Sequence, residues 1–214
     1  MNRRSFLTAT AVTGSVALAG CTALFGASLP DELDGVDSDP DQLPTPTVGS
    51  GTVSIDVYED LACPSCQEFQ AAVFPELEAR LLEDDGATYR HHDFPLPADE
   101  ERSIPMANAA RAVQSASGSE DDPGEFFQYK RFAMDAGTPS DEELVEIADA
   151  ETDVDPSVVE DALEENSYYP TLAAGWEDAD DRGVDRTPTV FVDDEEVEDP
   201  LDADEIITMA EDAN

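Results

Sequence analysis

The sequence predicts an α/β fold with an inserted helical subdomain. Three observations carry that prediction. Val53, Ile55 and Val57 alternate with polar residues, the mark of a strand with one buried face. Phe69, Val73, Leu77 and Leu81 recur every four residues, the mark of a helix. Such patterns follow one another as strand, helix, strand, several helices, strand, strand, helix.

The first strand is expected over 52–60, "TVSIDVYED". The helix starts at Pro64, and Pro75 inside it predicts a kink, because proline has no N–H for the preceding turn. "ATYRHHDFPL" reads as a second strand ending at Pro95. Helical segments follow at roughly 105–115, 124–136, 140–149, 156–165 and 169–182, and together they form the insertion, at about 105–182. "TPTVFVDDEEVED" predicts two short strands joined at Asp193-Asp194. A closing helix spans 202–212, with Asp202 or Asp204 as N-cap. Without the insertion the order is β-α-β, then β-β-α.

The N-terminus, "MNRRSFLTATAVTGSVALAGC", reads as an export signal rather than as part of the fold. Arg3 and Arg4 precede Ser5-Phe6-Leu7, which resembles a twin-arginine signal. The apolar run that follows is shorter than the about 20 residues of a membrane span. Leu18-Ala19-Gly20-Cys21 resembles a lipobox, so residues 1–20 are expected to be removed and Cys21 to carry a lipid. Residues 21–51 are rich in Asp, Pro, Gly and Ser and read as a linker between lipid and domain. The domain is placed at 52–214. The expected location is extracytoplasmic, with the protein anchored to the cell membrane by lipid.

Aspartate and glutamate number 52 against 10 lysines and arginines, a formal net charge of -42. That charge argues against nucleic acid and anionic membrane surfaces as partners. Apolar residues still make up 40%, and their periodicity marks a folded chain under an acidic shell, as in proteins of organisms living in molar salt. At about 1 M salt the Debye length is about 3 Å, so such a shell hardly repels itself.

The chemistry concentrates in "DLACPSCQEF". Two of the three cysteines, Cys63 and Cys66, stand where the first strand turns into the first helix. A cysteine at a helix start faces free N–H groups and the positive dipole end, which favour its thiolate. Cys63 is thus the expected nucleophile and Cys66, one turn inward, the resolving thiol. Pro64 at the first helical turn loses no hydrogen bond. Three readings are open: a redox pair, half of a metal site, or a static disulfide. Zinc or copper would need further ligands, for which His91 and His92 are the candidates. The two are adjacent on a strand and point to opposite faces, so at most one could join. A disulfide closing so small a loop constrains the unfolded chain little.

With Thr187-Pro188-Thr189 before the third strand and Phe94-Pro95-Leu96 after the second, the chain resembles the DsbA-like branch of the thioredoxin-fold thiol–disulfide oxidoreductases. The resemblance covers roughly residues 53–213. It implies that Cys63 and Cys66 are catalytic, with Pro64 and Ser65 as the dipeptide between them. It implies that Pro188 is cis and faces the pair, and that Thr187 and Pro188 hold a substrate chain. It further implies cysteine-containing exported proteins as substrates, a membrane redox partner such as a quinone-linked oxidase, and no cofactor or metal. Two departures stand out. Ser65 takes a place often held by histidine, and Val57 takes that of a buried acid six residues before the first cysteine. Asp60, with Glu59 beside it, becomes the proton-transfer candidate. The alternatives are a metal-binding thioredoxin-like module and a redox-inactive binding scaffold. No dimerisation segment precedes the first strand, so a monomer is expected. His91 and His92 are expected as ordinary strand residues, Lys130-Arg131 as a salt-bridged surface pair, and Trp176 and Tyr168-Tyr169 as packing in the helical cap.

Overall fold

A computed structural model of the chain describes residues 28–82, 86–96, 98–99 and 101–213. The expected export signal, Cys21 and the first part of the expected linker lie outside the described residues.

The sheet has five strands: β1 (Thr47–Gly49), β2 (Val53–Glu59), β3 (Ala87–Asp93), β4 (Thr189–Val192) and β5 (Glu195–Glu196). Their order is β1-β3-β2-β4-β5. β2 and β3 are parallel, and the other pairs are antiparallel. β2, flanked on both sides, is buried almost throughout. β4 turns into β5 through Asp193 and Asp194, at φ 46° and 71°. Two successive positive φ values are the turn that matches strand twist in a two-residue hairpin, and aspartate tolerates them.

On one face of the sheet lie α1 (Pro64–Glu68), α2 (Phe74–Leu77) and the C-terminal α8 (Ala203–Ala213). The four-residue repeat does its expected work there. Phe69, Val73, Leu77 and Leu81 pack with Ile55, Val57, Tyr89, Ile206 and Ile207 in the main core. The expected kink takes the form of two π-helical turns, Phe69–Val73 and Glu78–Leu82, on either side of α2. Pro75 follows the first of them. A widened turn absorbs the N–H that proline lacks. Asp202 caps α8 by accepting from the N–H groups of Asp204 and Glu205 at 3.0 and 3.2 Å.

The insertion comprises α3 (Ser103–Ser117), α4 (Phe126–Asp135), α5 (Asp141–Glu151), α6 (Ser157–Glu165) and α7 (Tyr169–Asp181). α3 brings Ala109, Ala110, Ala112 and Val113 to a core shared with Phe126, Tyr129, Leu144, Val159 and Ala162. Small side chains on α3 let its neighbours approach closely. Leu61, Ala62 and Cys66 belong to this same core, so the cysteine turn sits between sheet and insertion. α7 leaves the bundle and covers the other face of the sheet. Its Gly175 is required there, since a Cβ would meet the Asp93 carbonyl oxygen at 2.6 Å.

Three expectations change. The stretch read as linker is docked from Pro30 onward. Leu33 is buried against Ile104, Ala107 and Leu172, Asp39 donates its N–H to the Pro170 carbonyl, and β1 completes the sheet edge beside β3. Scattered anchors of this kind show no period. Trp176 packs with Phe94, Tyr58 and Phe191 against the sheet rather than inside the bundle, whereas Tyr168 and Tyr169 do pack on the helical cores. Lys130 is not at the surface. It is fully buried, because α4 turns it inward to a carboxylate of β2.

Candidate active site

Cys63 caps α1 in an extended conformation, and Pro64 opens the helix. The turn is held from inside. The Cys63 N–H donates to the Asp60 carbonyl, and the Cys63 carbonyl accepts from Gln67, both at 3.0 Å. The Gln67 amide ties the turn to the insertion by donating to the carbonyls of Leu61 and Gly137 at 3.1 and 2.8 Å.

Both cysteines are free thiols, Cys63 half-buried and Cys66 buried. Their acidities diverge. The thiol of Cys66 donates to the Cys63 sulfur, which also receives hydrogen bonds from the Thr187 side chain and the N–H groups of Cys66 and Ser65. Against the cost of partial burial these lower Cys63 to about 5. Burial pushes Cys66 well up, and its position as donor to Cys63 and the charge of Glu59 push it further. Thr187-Pro188 is cis. When protonated, Cys63 donates to the Thr187 carbonyl at 3.6 Å. The two segments expected to meet, separated by more than a hundred positions, are therefore in contact.

Asp60 is buried behind the turn. It accepts from the Ala62 N–H at 2.9 Å, the Ser103 hydroxyl at 2.7 Å and the Ala98 N–H at 3.3 Å. Burial raises its carboxyl to about 7 against those donors, and the nearby Cys63 thiolate adds to the rise. Glu59 is as deeply buried but differs in charge state. Burial favours its protonation, yet the ammonium of Lys130 and the ring of His91 outweigh it and hold it at about 2. One oxygen, Oε2, accepts from Lys130, from His91 Nδ1 at 2.9 Å and from the Tyr89 hydroxyl at 3.2 Å. The other, Oε1, is buried without a partner among the described residues.

His91 is thus no ordinary strand residue. Its Nε2 lies 3.1 Å from Asp93 Oδ1, and Asp93 in turn accepts from Arg111 Nε at 2.6 Å. His92 faces the opposite side, stacked on Tyr58 and 2.7 Å from Asp56. Both ring nitrogens of His91 are committed to carboxylates rather than to the cysteine pair. Among the described residues no group of three or more His, Cys, Asp or Glu side chains could hold a metal ion.

The buried ionic cluster escaped sequence reasoning, although one signal pointed to it. On α4 the buried residues are Phe126, Tyr129, Lys130, Ala133 and Met134. Lys130 lies on that apolar stripe, where an unpaired cation would not survive.

A family model described as Thioredoxin matches residues 46–212. The chain belongs to the thioredoxin family. Its fold is shared with solved structures of DsbA-like proteins. Disulfide bond formation protein D of Bacillus subtilis (strain 168) is 20% identical over 181 residues, 81% of this chain and 78% of that protein. Among solved structures, oxidised BdbD from Bacillus subtilis superposes with a TM-score of 0.71 at 19% identity, over 83% of this chain and 96% of that one. The DsbA of Chlamydia trachomatis gives 0.69 at 20% identity, over 79% and 89%. MdbA, a thiol-disulfide oxidoreductase from Actinomyces oris, gives 0.63 at 22% identity, over 84% and 99%. No helix among the described residues is long and apolar enough to cross a membrane.

Proposed function

We propose that this thioredoxin-family protein is an extracytoplasmic oxidoreductase that forms or exchanges disulfides in exported proteins through Cys63 and Cys66. The carrying observation is the division of labour between the two sulfurs: one half-exposed and favoured as thiolate, the other buried and held as thiol. A static disulfide would have no use for that asymmetry.

In the oxidising direction, a substrate thiolate attacks Cys63 of the Cys63–Cys66 disulfide. Its sulfur bonds to Cys63, and the electron pair of the broken bond goes to Cys66. A second substrate thiolate then attacks the substrate sulfur of the mixed disulfide and expels Cys63 as thiolate. Stabilising the Cys63 thiolate favours the reduced protein and so makes its disulfide the stronger oxidant. Thr187 and Pro188 hold the substrate chain beside Cys63. Glu59 and Asp60 are the proton-transfer groups nearest the pair. A membrane enzyme, such as a quinone-linked oxidase, takes the electrons from the reduced pair. Cys21 carries a lipid after twin-arginine export, which keeps the protein beside that enzyme.

The test is covalent trapping. Tagged Cys66→Ala should accumulate mixed disulfides with exported cysteine proteins on non-reducing gels, and Cys63→Ala should accumulate none. Complexes formed equally well through Cys66 alone would overturn the assignment. For the anchor, Cys21→Ser should release the protein from membranes or leave it uncleaved; a variant that fractionates and migrates like wild type would refute lipidation.

A further inference from the structure

A cleft of about 330 Å³ opens between the helix that continues from Cys66 and the neighbouring α4. Its floor is aromatic. Phe74 and Phe127 stack with ring centroids 6.0 Å apart and planes 13° from parallel. Val48 of β1 and Pro75 extend the apolar wall. Neither Cys63 nor Thr187 nor Pro188 lines it, so it is separate from the place where a chain would meet the Cys63 sulfur.

Two polar groups of this cleft lack what they need. Gln70 lies four positions after Cys66, in the first π-helical turn, and is only 4% exposed. Its Oε1 is buried without a partner among the described residues, although a buried amide oxygen is costly to leave without a donor. Arg131 lies on the α4 wall, with its guanidinium 4.7 Å over the Phe132 ring. Every other described lysine and arginine pairs with a carboxylate. Arg131 pairs with none among the described residues, in a chain where carboxylates outnumber cations 52 to 10. Even Glu78, which lines the same cleft, is not its partner.

We propose that this cleft binds the C-terminal residue of a polypeptide that ends in an aromatic side chain. Each unmet feature is answered by one part of such a residue. The ring lies on Phe74 and Phe127, offset or edge-on. The terminal carboxylate takes a forked pair of hydrogen bonds from the Arg131 guanidinium. The last main-chain N–H donates to Gln70 Oε1, reached by a rotation of the Gln70 amide that no hydrogen bond at Oε1 holds back. A bare apolar ring would leave both polar groups unanswered, and an internal stretch of chain would bring no carboxylate. Glu78 stands on the other wall, in the second π-helical turn, and its charge turns the carboxylate toward α4. The volume is at the small end of ligand sites, about 300–1,000 Å³, which suits one residue rather than a long segment. This binding does not depend on the redox reading, and its test reads no thiol chemistry.

The probes are N-acetyl-Gly-Phe with a free carboxylate and the same dipeptide as its C-terminal amide. Each is titrated by calorimetry into the full chain at fixed salt. The acid should bind at least about 10-fold more tightly than the amide, the value of a charge-assisted hydrogen bond. N-acetyl-Gly-Ala, which lacks the ring, should bind more weakly than either. Arg131→Gln should bring the acid down to the affinity of the amide, and Arg131→Lys should restore part of the difference. Gln70→Met, close in volume, should weaken the acid and the amide alike by about 5-fold. Equal affinity for acid and amide, no binding of the acid at millimolar concentration, an alanine probe as tight as the phenylalanine one, or wild-type affinity in Arg131→Gln would each overturn the proposal. Arg131 is exposed, so its substitutions leave the core intact. The comparison of acid with amide needs no variant and decides the matter even where Gln70→Met fails to fold.

Discussion

The sulfur of Cys63 and the carbonyl oxygen of Thr187 lie 3.6 Å apart, joining the helix start to the loop before β4. The Thr187 side chain also donates to the same sulfur as thiolate. The alkylation rate of Cys63 should therefore rise with pH around a midpoint near 5. Thr187→Val removes one donor and should move that midpoint upward. Ser65→His places an imidazolium beside the thiolate, should move it downward, and should make the disulfide more oxidising by roughly 30 mV or more. An unchanged midpoint in Thr187→Val, or a more reducing potential in Ser65→His, would contradict this account of the sulfur.

Removing the cation from the buried cluster should be costly. Lys130→Met leaves the Glu59 carboxylate without its ammonium in a fully buried site. Breaking such a pair costs about 3–5 kcal/mol, because the surviving charge stays desolvated. Adding Glu59→Gln should recover part of that loss. Urea unfolding at fixed salt measures both, and a Lys130→Met loss under about 1 kcal/mol would contradict the burial seen here.

Asp60 sets a pH dependence of opposite sign to that of most carboxylates. Its folded value is raised to about 7, against an ordinary value of about 3.9. Between these limits the folded protein binds more protons than the unfolded chain, so this group's contribution is full below about pH 4 and is lost as pH rises through about 7. Asp60→Asn should remove that decline. Unfolding midpoints of the two proteins, compared from pH 4 to 8 at fixed salt, check it; parallel curves would refute it.

The acidic shell predicts a steep need for salt. Arg80, Arg90, Arg102, Arg111, Lys130, Arg182 and Arg186 each pair with a carboxylate, and the net charge is still -42. Unfolding midpoints should climb from low to multimolar KCl as self-repulsion is screened. A flat dependence would remove the case for adaptation to molar salt.

The legible part of the molecule was that written in local patterns. Alternation marked β2, the four-residue repeat marked the helix behind the cysteines, and the Cys-Pro-Ser-Cys turn between them was where the motif required it. Ser140 and Glu143 form a capping box at α5, close to the expected start. The illegible part depends on residues far apart in the chain. Lys130 and Glu59 are separated by 71 positions, and Lys130 beside Arg131 has the look of a surface pair until α4 is rotated against β2. Likewise, Arg111 and Gln114 donate to the Pro44 carbonyl from 67 and 70 positions away. Such contacts hold the N-terminal segment without any repeat of its own.

If Cys21 carries the proposed lipid, that docked segment limits how far the domain can travel. A free linker from Cys21 to β2 would span roughly 100 Å when extended, whereas Leu33 is already fixed to α3 and α7 only twelve positions after Cys21. A lipid at Cys21 would then leave a leash of at most about 40 Å. The thiol pair would then patrol a thin layer next to the bilayer, meeting polypeptides as they emerge from export rather than after they have diffused away.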